Sequence, residues 1–517
     1  MSAPASRLYI VSLVGILCLV FMVSQFLRSS TGVIAPNLME DLGLRPEGLG
    51  LLSGAFFLSF AFSQIPVGIL LDRYGARVTM IGSVGIAVLG CFAFAFAQSE
   101  VELTAARVLM GLGCSSMLMG PLMIYRRWFP AERFASLSGI QISLGTIGAL
   151  MATAPLAFTT ELFGWRESFM GVGVITLVLA VAMGFIARDT PPGVAPPPRS
   201  SETLRQSIGG TAEVARDRSV WPLFIMISCG YASFAAMQAL WVAPYLSDVH
   251  GLDLTARGHV LFGMTGGQVV GLYLWGHAER LTGSIKKPIM AGAFLSAAML
   301  ALLAALDHPP LWLVTTLFVL LGLNAGYTPL LLAHGRLVFP DRLAGRGITL
   351  LNFGNMTGVF ALQALTGALI GLLWRSGVGT EAGYRLTFAS LALVLLAEGL
   401  FHVGTPDDAI AQIERLQAQS GGFGCFMQLA HNWADWENTK RSYELMARYV
   451  FPKFQNLNDN REASLNWARD NRPTFMGEAM MAVGSRVAQH VEKKGTENIR
   501  PEILAAMGLD KKNDAAE

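Results

Sequence analysis

Apolar residues in this chain are gathered into long blocks that stop near residue 402 and do not return. A helix needs roughly 20 mostly apolar residues to cross hydrocarbon ~30 Å thick. Twelve stretches meet or approach that length: 8–35, 49–68, 78–96, 103–123, 134–158 and 169–186, then 220–243, 260–275, 289–305, 311–333, 348–373 and 386–401. A backbone in lipid must satisfy its own polar groups, so these spans are expected to be helices. Composition agrees, since 53% hydrophobic against 14% charged residues is far from the balance of a soluble chain.

The expected fold class is an all-α membrane protein with twelve transmembrane helices in two six-helix halves, residues 1–187 and 220–402. The linker 188–219 carries Pro191, Pro192 and the run Pro196, Pro197 and Pro198, which reads as extended chain. A tail, 403–517, follows. One set of alternate loops holds Arg7; Arg73 and Arg77; Arg126, Arg127 and Arg133; the linker arginines; Arg280, Lys286 and Lys287; and Arg336, Arg342 and Arg346. The opposite loops hold only Arg45, Arg166, Arg257, Arg375 and Arg385. Positive charge stays inside, which predicts that both termini, the linker and the tail are cytoplasmic in the inner (plasma) membrane. The first apolar run lacks a small-residue cleavage site and is expected to be an uncleaved anchor.

Cys18, Cys91, Cys114 and Cys229 fall inside spans and read as small core residues, with no metal-ligating or catalytic set around them. A net charge of +2 gives no reason to expect a nucleic-acid partner. No GxxxxGK[ST] loop for a nucleotide phosphate is present, and no cofactor is expected. Two six-helix halves without a nucleotide site point to secondary transport by a chain expected to act as a monomer.

Local motifs then point to a family. Gly68, Asp72, Arg73, Gly75 and Arg77 stand in the run GILLDRYGAR between spans 2 and 3. Arg107, Gly111 and Gly113 stand in LTAARVLMGLG at the head of span 4, and Gly164, Trp165 and Arg166 open span 6. In this order these motifs resemble the major facilitator superfamily over residues 8–402, with Gly276, Glu279 and Arg280 a degenerate echo in the second half. Gly68 and Gly75 are expected to allow close approach and a tight turn, and Asp72 to cap a helix or pair with an arginine. The resemblance implies that this cluster is a latch on the cytoplasmic side. It also implies a structural or coupling role for Arg107, which is expected to be partly buried near the outer end of span 4.

Arg28 interrupts span 1 about ten residues before its outer end near Leu38, which puts it ~15 Å deep at the helical rise. A charge there is costly unless it faces a cavity or snorkels to the interface. Its spacing of eight residues before Pro36 resembles the anion-transporting branch of the superfamily, including sugar-phosphate permeases. In those carriers a second arginine lies on span 7, six residues before a Trp-x-x-x-Tyr-Leu segment. Here that segment is Trp241 to Leu246, and the matching position is Ala235. One guanidinium suits a carboxylate better than an organophosphate dianion.

Further candidate substrate contacts are Gln238, Trp241, Gln268, Asn324, Tyr327, Asn352, Asn355 and Gln363, each of which could equally tie two helices together. No Asp or Glu falls at mid-span, since Glu102 and Glu398 lie near helix ends, so a relay through a buried carboxylate is not expected. Anion exchange, or symport in which the substrate carries the proton, fits better.

The tail opens with Thr405, Pro406, Asp407 and Asp408, a helix start, and Gly421 and Gly422 stop that helix. Residues 423–430 read as a short strand, 435–450 as an amphipathic helix ending before Pro452, and 474–493 as another helix. The runs GGFG at 421–424 and HNWAD at 431–435 resemble the end of luciferase-like flavin-dependent monooxygenases over about 403–455. Those enzymes are eight-stranded barrels, and one strand candidate cannot build their cofactor pocket. The tail is expected to be a vestige or docking appendage. The alternatives are completion of a flavoprotein partner, a membrane-tethered monooxygenase, or a non-transporting receptor.

Overall fold

The computed structural model describes residues 7–192, 194, 209, 214–216, 220–282, 286–338, 344–401, 410, 413–418, 436–454, 459–495, 499–500 and 502–503. Met1–Val403 and Gly404–Glu517 are two compact units.

Among the described residues the first unit holds twelve long helical segments: α1 (Arg7–Leu42), α2 (Pro46–Tyr74), α3 (Ala76–Phe96), α4 (Glu100–Trp128), α5 (Glu132–Phe163), α6 (Trp165–Ile186), α7 (Leu223–Asp248), α8 (Leu254–Trp275), α9 (Lys286–Ala305), α10 (Leu311–His334), α11 (Ala344–Arg375) and α12 (Thr380–Phe401). Ten of these are long and apolar enough to cross a membrane, and α8 and α12, of 22 residues each, complete the two sets of six. Their boundaries follow local chemistry. Gly75 (φ 90°) and Gly164 (φ 94°) turn the chain between successive helices. Ser99 and Asp253 cap α4 and α8 by accepting from the backbone N–H of Glu102 and Ala256.

Four spans are not regular throughout. α4 breaks after Cys114, α5 breaks at Ala152–Thr153, α7 carries a π-helical turn at Met237–Trp241, and α10 a 3₁₀ turn at Ala325–Tyr327. Such breaks release backbone groups and let a helix change course.

The halves meet along three seams, α1 on α7, α2 on α11 and α5 on α8. Away from the linker these seams are tight because small residues line them. A methyl added to Gly32 would meet the Gln238 carbonyl at 2.7 Å, and one on Gly258 would meet Ala157 at the same distance. Gly50 and Gly367 oppose each other in the same way. Ion pairs and hydrogen bonds cross between the halves at this end: Arg375 to Glu47, Thr255 to Glu161, and Arg257 to Asn37 at 3.5 Å.

In the second unit a helix starts at Trp436–Leu445 and continues through a π turn, Met446–Val450, to Phe454, and a longer one spans Asp459–Lys494. Both correct the sequence expectation: the chain stays helical through Pro452, and Pro473 lies inside the long helix instead of preceding it. A proline inside a helix removes one backbone bond and bends the chain, and such bends go with π turns like the one just before Pro452 or are taken up along a long exposed helix. Ile410, Ile413 and Val450 form a small apolar cluster. No strand occurs among the described residues, and the expected strand 423–430, the start at Thr405 and both flavoenzyme-like runs lie outside them.

Candidate functional site

Between the halves lies a cavity of about 310 Å³, walled by residues of α1, α2, α4, α5, α7, α8, α10 and α11. Arg28 is its only charged residue among those described. The guanidinium stacks on the Phe60 ring, 4.9 Å from its centroid, and Nε has no hydrogen-bond partner. A desolvated donor left open in this way favours an incoming acceptor. Gln238 and Gln268 face Arg28 from the other half, joined to each other and to Thr265: Gln238 Nε2 donates to Thr265 Oγ1 at 2.8 Å and reaches Gln268 Oε1 at 3.5 Å. Asn352 and Asn355 complete the amide lining from α11.

Four of the expected contacts do not reach this cavity. Trp241 is fully buried and donates its indole N–H to Thr366 Oγ1 at 2.8 Å, tying α7 to α11. Gln363 is equally buried and donates to the Ala235 carbonyl. Asn324 joins α10 to α9 by donating to Gly292 O (2.7 Å) and Ser296 Oγ (2.6 Å). The Tyr327 hydroxyl donates to the Glu398 carboxylate, 3.2 and 3.3 Å from its oxygens. These side chains are interhelical ties. Conversely, Ser24, Gln25, Phe60 and Tyr231 line the cavity without having been singled out from the sequence. Gln25 and Ser24 carried a usable signal, since they precede Arg28 by three and four residues on the same helical face.

Glu398 corrects a second expectation. It lies near the end of α12 but is only 1% exposed, so a buried carboxylate is present in the second half. Arg107 also differs: it is fully buried, not partly so. Its Nη1 donates to the Leu27 carbonyl at 2.7 Å and its guanidinium stacks on Phe56. It therefore holds the α1 turn that presents Arg28.

Toward the linker end a wider cavity of about 750 Å³ is lined by Gly68, Asp72, Arg126, Arg127 and Thr349. Here the motif cluster divides. Gly68 makes no close approach, because a methyl added there would meet nothing within 4 Å. Asp72 sits in the last turn of α2 and does not cap the start of α3. That position is taken by Asp189, which accepts from the Arg77 backbone N–H at 2.8 Å and lies against Gly75. The Arg77 side chain donates to Gly184 O at 2.6 Å, joining α3 to α6. Arg73 stacks on Tyr74. Sequence reasoning missed Asp189 because it lies 112 residues from Arg77 in a segment read as linker.

A half-buried cation at the interface of two six-helix bundles, sealed at one end and hollow toward the other, defines a multi-pass membrane transporter of the alternating-access class. Residues 17–360 match the Major Facilitator Superfamily, and the chain belongs to it. Among its relatives, the hexuronate transporter of Bacillus subtilis is 24% identical over 385 residues, covering 71% of this chain and 90% of that protein. The gentisate transporter of Corynebacterium glutamicum is 27% identical over 388 residues, covering 71% and 82%. A bacterial homologue of the human lysosomal transporter Spinster, solved inward-facing and unoccupied, superposes with a TM-score of 0.63 over 77% of this chain and 97% of that one. At 19% identity this shows the fold.

Proposed function

We propose that this protein is a secondary transporter that carries a small organic anion, a carboxylate in preference to an organophosphate, by alternating access. The observation that carries this reading is Arg28: one guanidinium, with an open donor edge, in a cavity otherwise lined by amides, hydroxyls and apolar groups. A planar fork suits a carboxylate, and a single positive charge matches a single negative one. The amides of Gln25, Gln268, Asn352 and Asn355 can take up hydroxyl groups on the substrate body, which favours a hydroxylated acid. The hexuronate and gentisate transporters among the relatives have a carboxylate cargo in common. A cavity of about 310 Å³ is also of the size that small-molecule sites occupy.

The excess of basic residues in the linker-side loops supports a cytoplasmic linker and cytoplasmic termini. In that orientation the sealed seams face outward and the open cavity inward. Asp72 and Thr349, from the two halves, would then be the pair of surfaces that close when the carrier turns outward. The tail is an appendage in this reading. The elements among its described residues are helices, and a flavin barrel would need strands from a partner. A flavin absorption band in the purified protein would favour the monooxygenase-like reading instead.

The test is uptake by proteoliposomes of labelled D-glucuronate, D-galactonate, gentisate, glycerol 3-phosphate and neutral glucose. Saturable exchange of at least one carboxylate, with glucose excluded, is expected. Transport of glucose with no carboxylate carried would reject the anion reading.

A further inference from the structure

One cation at the sealed end has no part in the chemistry above. Arg257 stands in the first turn of α8, among the charges that the sequence places in outer loops, yet it is only 5% exposed. It lies where the halves touch. The next residue, Gly258, packs so closely on α5 that a methyl there would meet Ala157 at 2.7 Å and the Ala154 backbone at 3.0 Å. Across the seam Arg257 Nη2 donates to Asn37 Oδ1 of α1 at 3.5 Å, and the buried Nε has no partner. The acids that act on Arg257 are Asp248 and Asp253. Asp248 accepts from the Tyr384 hydroxyl at 2.7 Å and Asp253 caps α8, and among the described residues neither forms an ion pair with Arg257. Arg375, by contrast, crosses the same seam to a carboxylate, that of Glu47. A desolvated guanidinium without a paired carboxylate is costly, and one long bond to an amide does not offset that cost.

Its place on α8 shows what the group can serve. Arg257 and Gln268 are eleven residues apart, three helical turns and within about 20° of one another around the axis. Arg257 therefore lies on the face that lines the cavity at Gln268 and Leu272, about 16 Å farther toward the sealed end. Leu261, Met264 and Thr265 lie between and are buried, at most 1% exposed. When the halves part at this end, as alternating access requires, that face becomes a wall of the opposite vestibule, with Arg257 at its mouth.

We propose that Arg257 is a second anion-binding site, uncovered at the sealed end when the carrier turns outward, which captures the carboxylate before it reaches Arg28. The proposal rests on the anion-transport reading. Once Asn37 has moved away, the planar fork offers open donors to a carboxylate. A cation at the mouth of a low-dielectric cleft also raises the local concentration of the anion.

Right-side-out and inside-out membrane vesicles from cells making the full chain present the sealed end and the linker end to the bath in turn. Exchange of labelled D-glucuronate is followed in both as its bath concentration is varied. Arg257→Gln is expected to raise KM about tenfold on the sealed side, the lower end of what electrostatic capture supplies, and to leave KM on the linker side unchanged. Arg257→Lys, which keeps the charge but not the fork, is expected to raise KM about threefold on the sealed side alone. It carries the test if the Gln variant does not fold. Asn37→Ala breaks the seam bond and keeps the guanidinium, so KM on the sealed side is expected not to rise. A seam lock alone predicts the reverse for the Arg257 variants: loosening it favours the outward state, which lowers KM on the sealed side and raises it on the linker side. That pattern, an equal rise on both sides, an unchanged KM on the sealed side, or an Asn37→Ala variant that reproduces the one-sided rise overturns the proposal and leaves the anion reading standing. Absence of exchange by the wild type, for glucuronate and for every carboxylate tested above, removes the anion reading itself and this site with it.

Discussion

Replacing Arg28 by alanine removes the one charge found among the described residues that line the cavity. In the structure its guanidinium lies on Phe60 at 4.9 Å and is half-buried, with Nε unpartnered. A charge-assisted bond truncated on one side costs about 2–5 kcal/mol when fully enclosed, and the partial exposure of Arg28 argues for the lower end. A loss of about 2–3 kcal/mol corresponds to a KM for a carboxylate raised roughly 30- to 150-fold. Arg28→Lys keeps the charge but not the planar fork or its stacking, a loss of about 1 kcal/mol and a roughly fivefold rise. Because the side chain has an unpaired buried donor, thermal stability of the detergent-solubilised Ala variant should not fall. The assay is concentration-dependent exchange of labelled D-glucuronate in proteoliposomes, with Tm measured in parallel. An Ala variant with an unchanged KM, or one whose only defect is a lowered Tm, would refute the reasoning.

Three further outcomes follow from the geometry. Gly75→Ala forces a side chain into φ 90° against Asp189 and should cost about 1–2 kcal/mol, whereas Gly68→Ala meets open space and should be neutral; Tm of the two variants side by side decides this. Trp241→Phe removes the bond to Thr366 while that hydroxyl keeps the Leu362 carbonyl, so stability should drop by about 1 kcal/mol with KM unchanged; a KM effect would return Trp241 to the list of substrate contacts. The Arg375–Glu47 pair is partly exposed, so a double-mutant cycle on Tm should show coupling below about 1 kcal/mol, and a larger value would mean that the seam depends on charge more than on its glycines.

The sequence by itself determined the number and order of the spans, the division into halves and the place of Arg28 along the first span. Each is a one-dimensional quantity: span length is set by hydrocarbon thickness, and the place of a charge along a span by helical rise. The direction in which a polar side chain points is not such a quantity. In a helix covered by neighbours and lipid on all sides, no solvent face imposes a hydrophobic period, so Gln238 and Gln363 look alike in the chain although one faces the cavity and the other the α7 backbone. Only tertiary packing decided that Trp241, Asn324 and Tyr327 tie helices, that Asp189 and not Asp72 meets the α3 terminus, and that Glu398 is enclosed despite lying near a helix end. The physical reason is that enclosure and pairing depend on residues distant in sequence that pack against each side chain, as when Gly230 of α7 lies against Glu398 of α12 and Tyr327 of α10 donates to it.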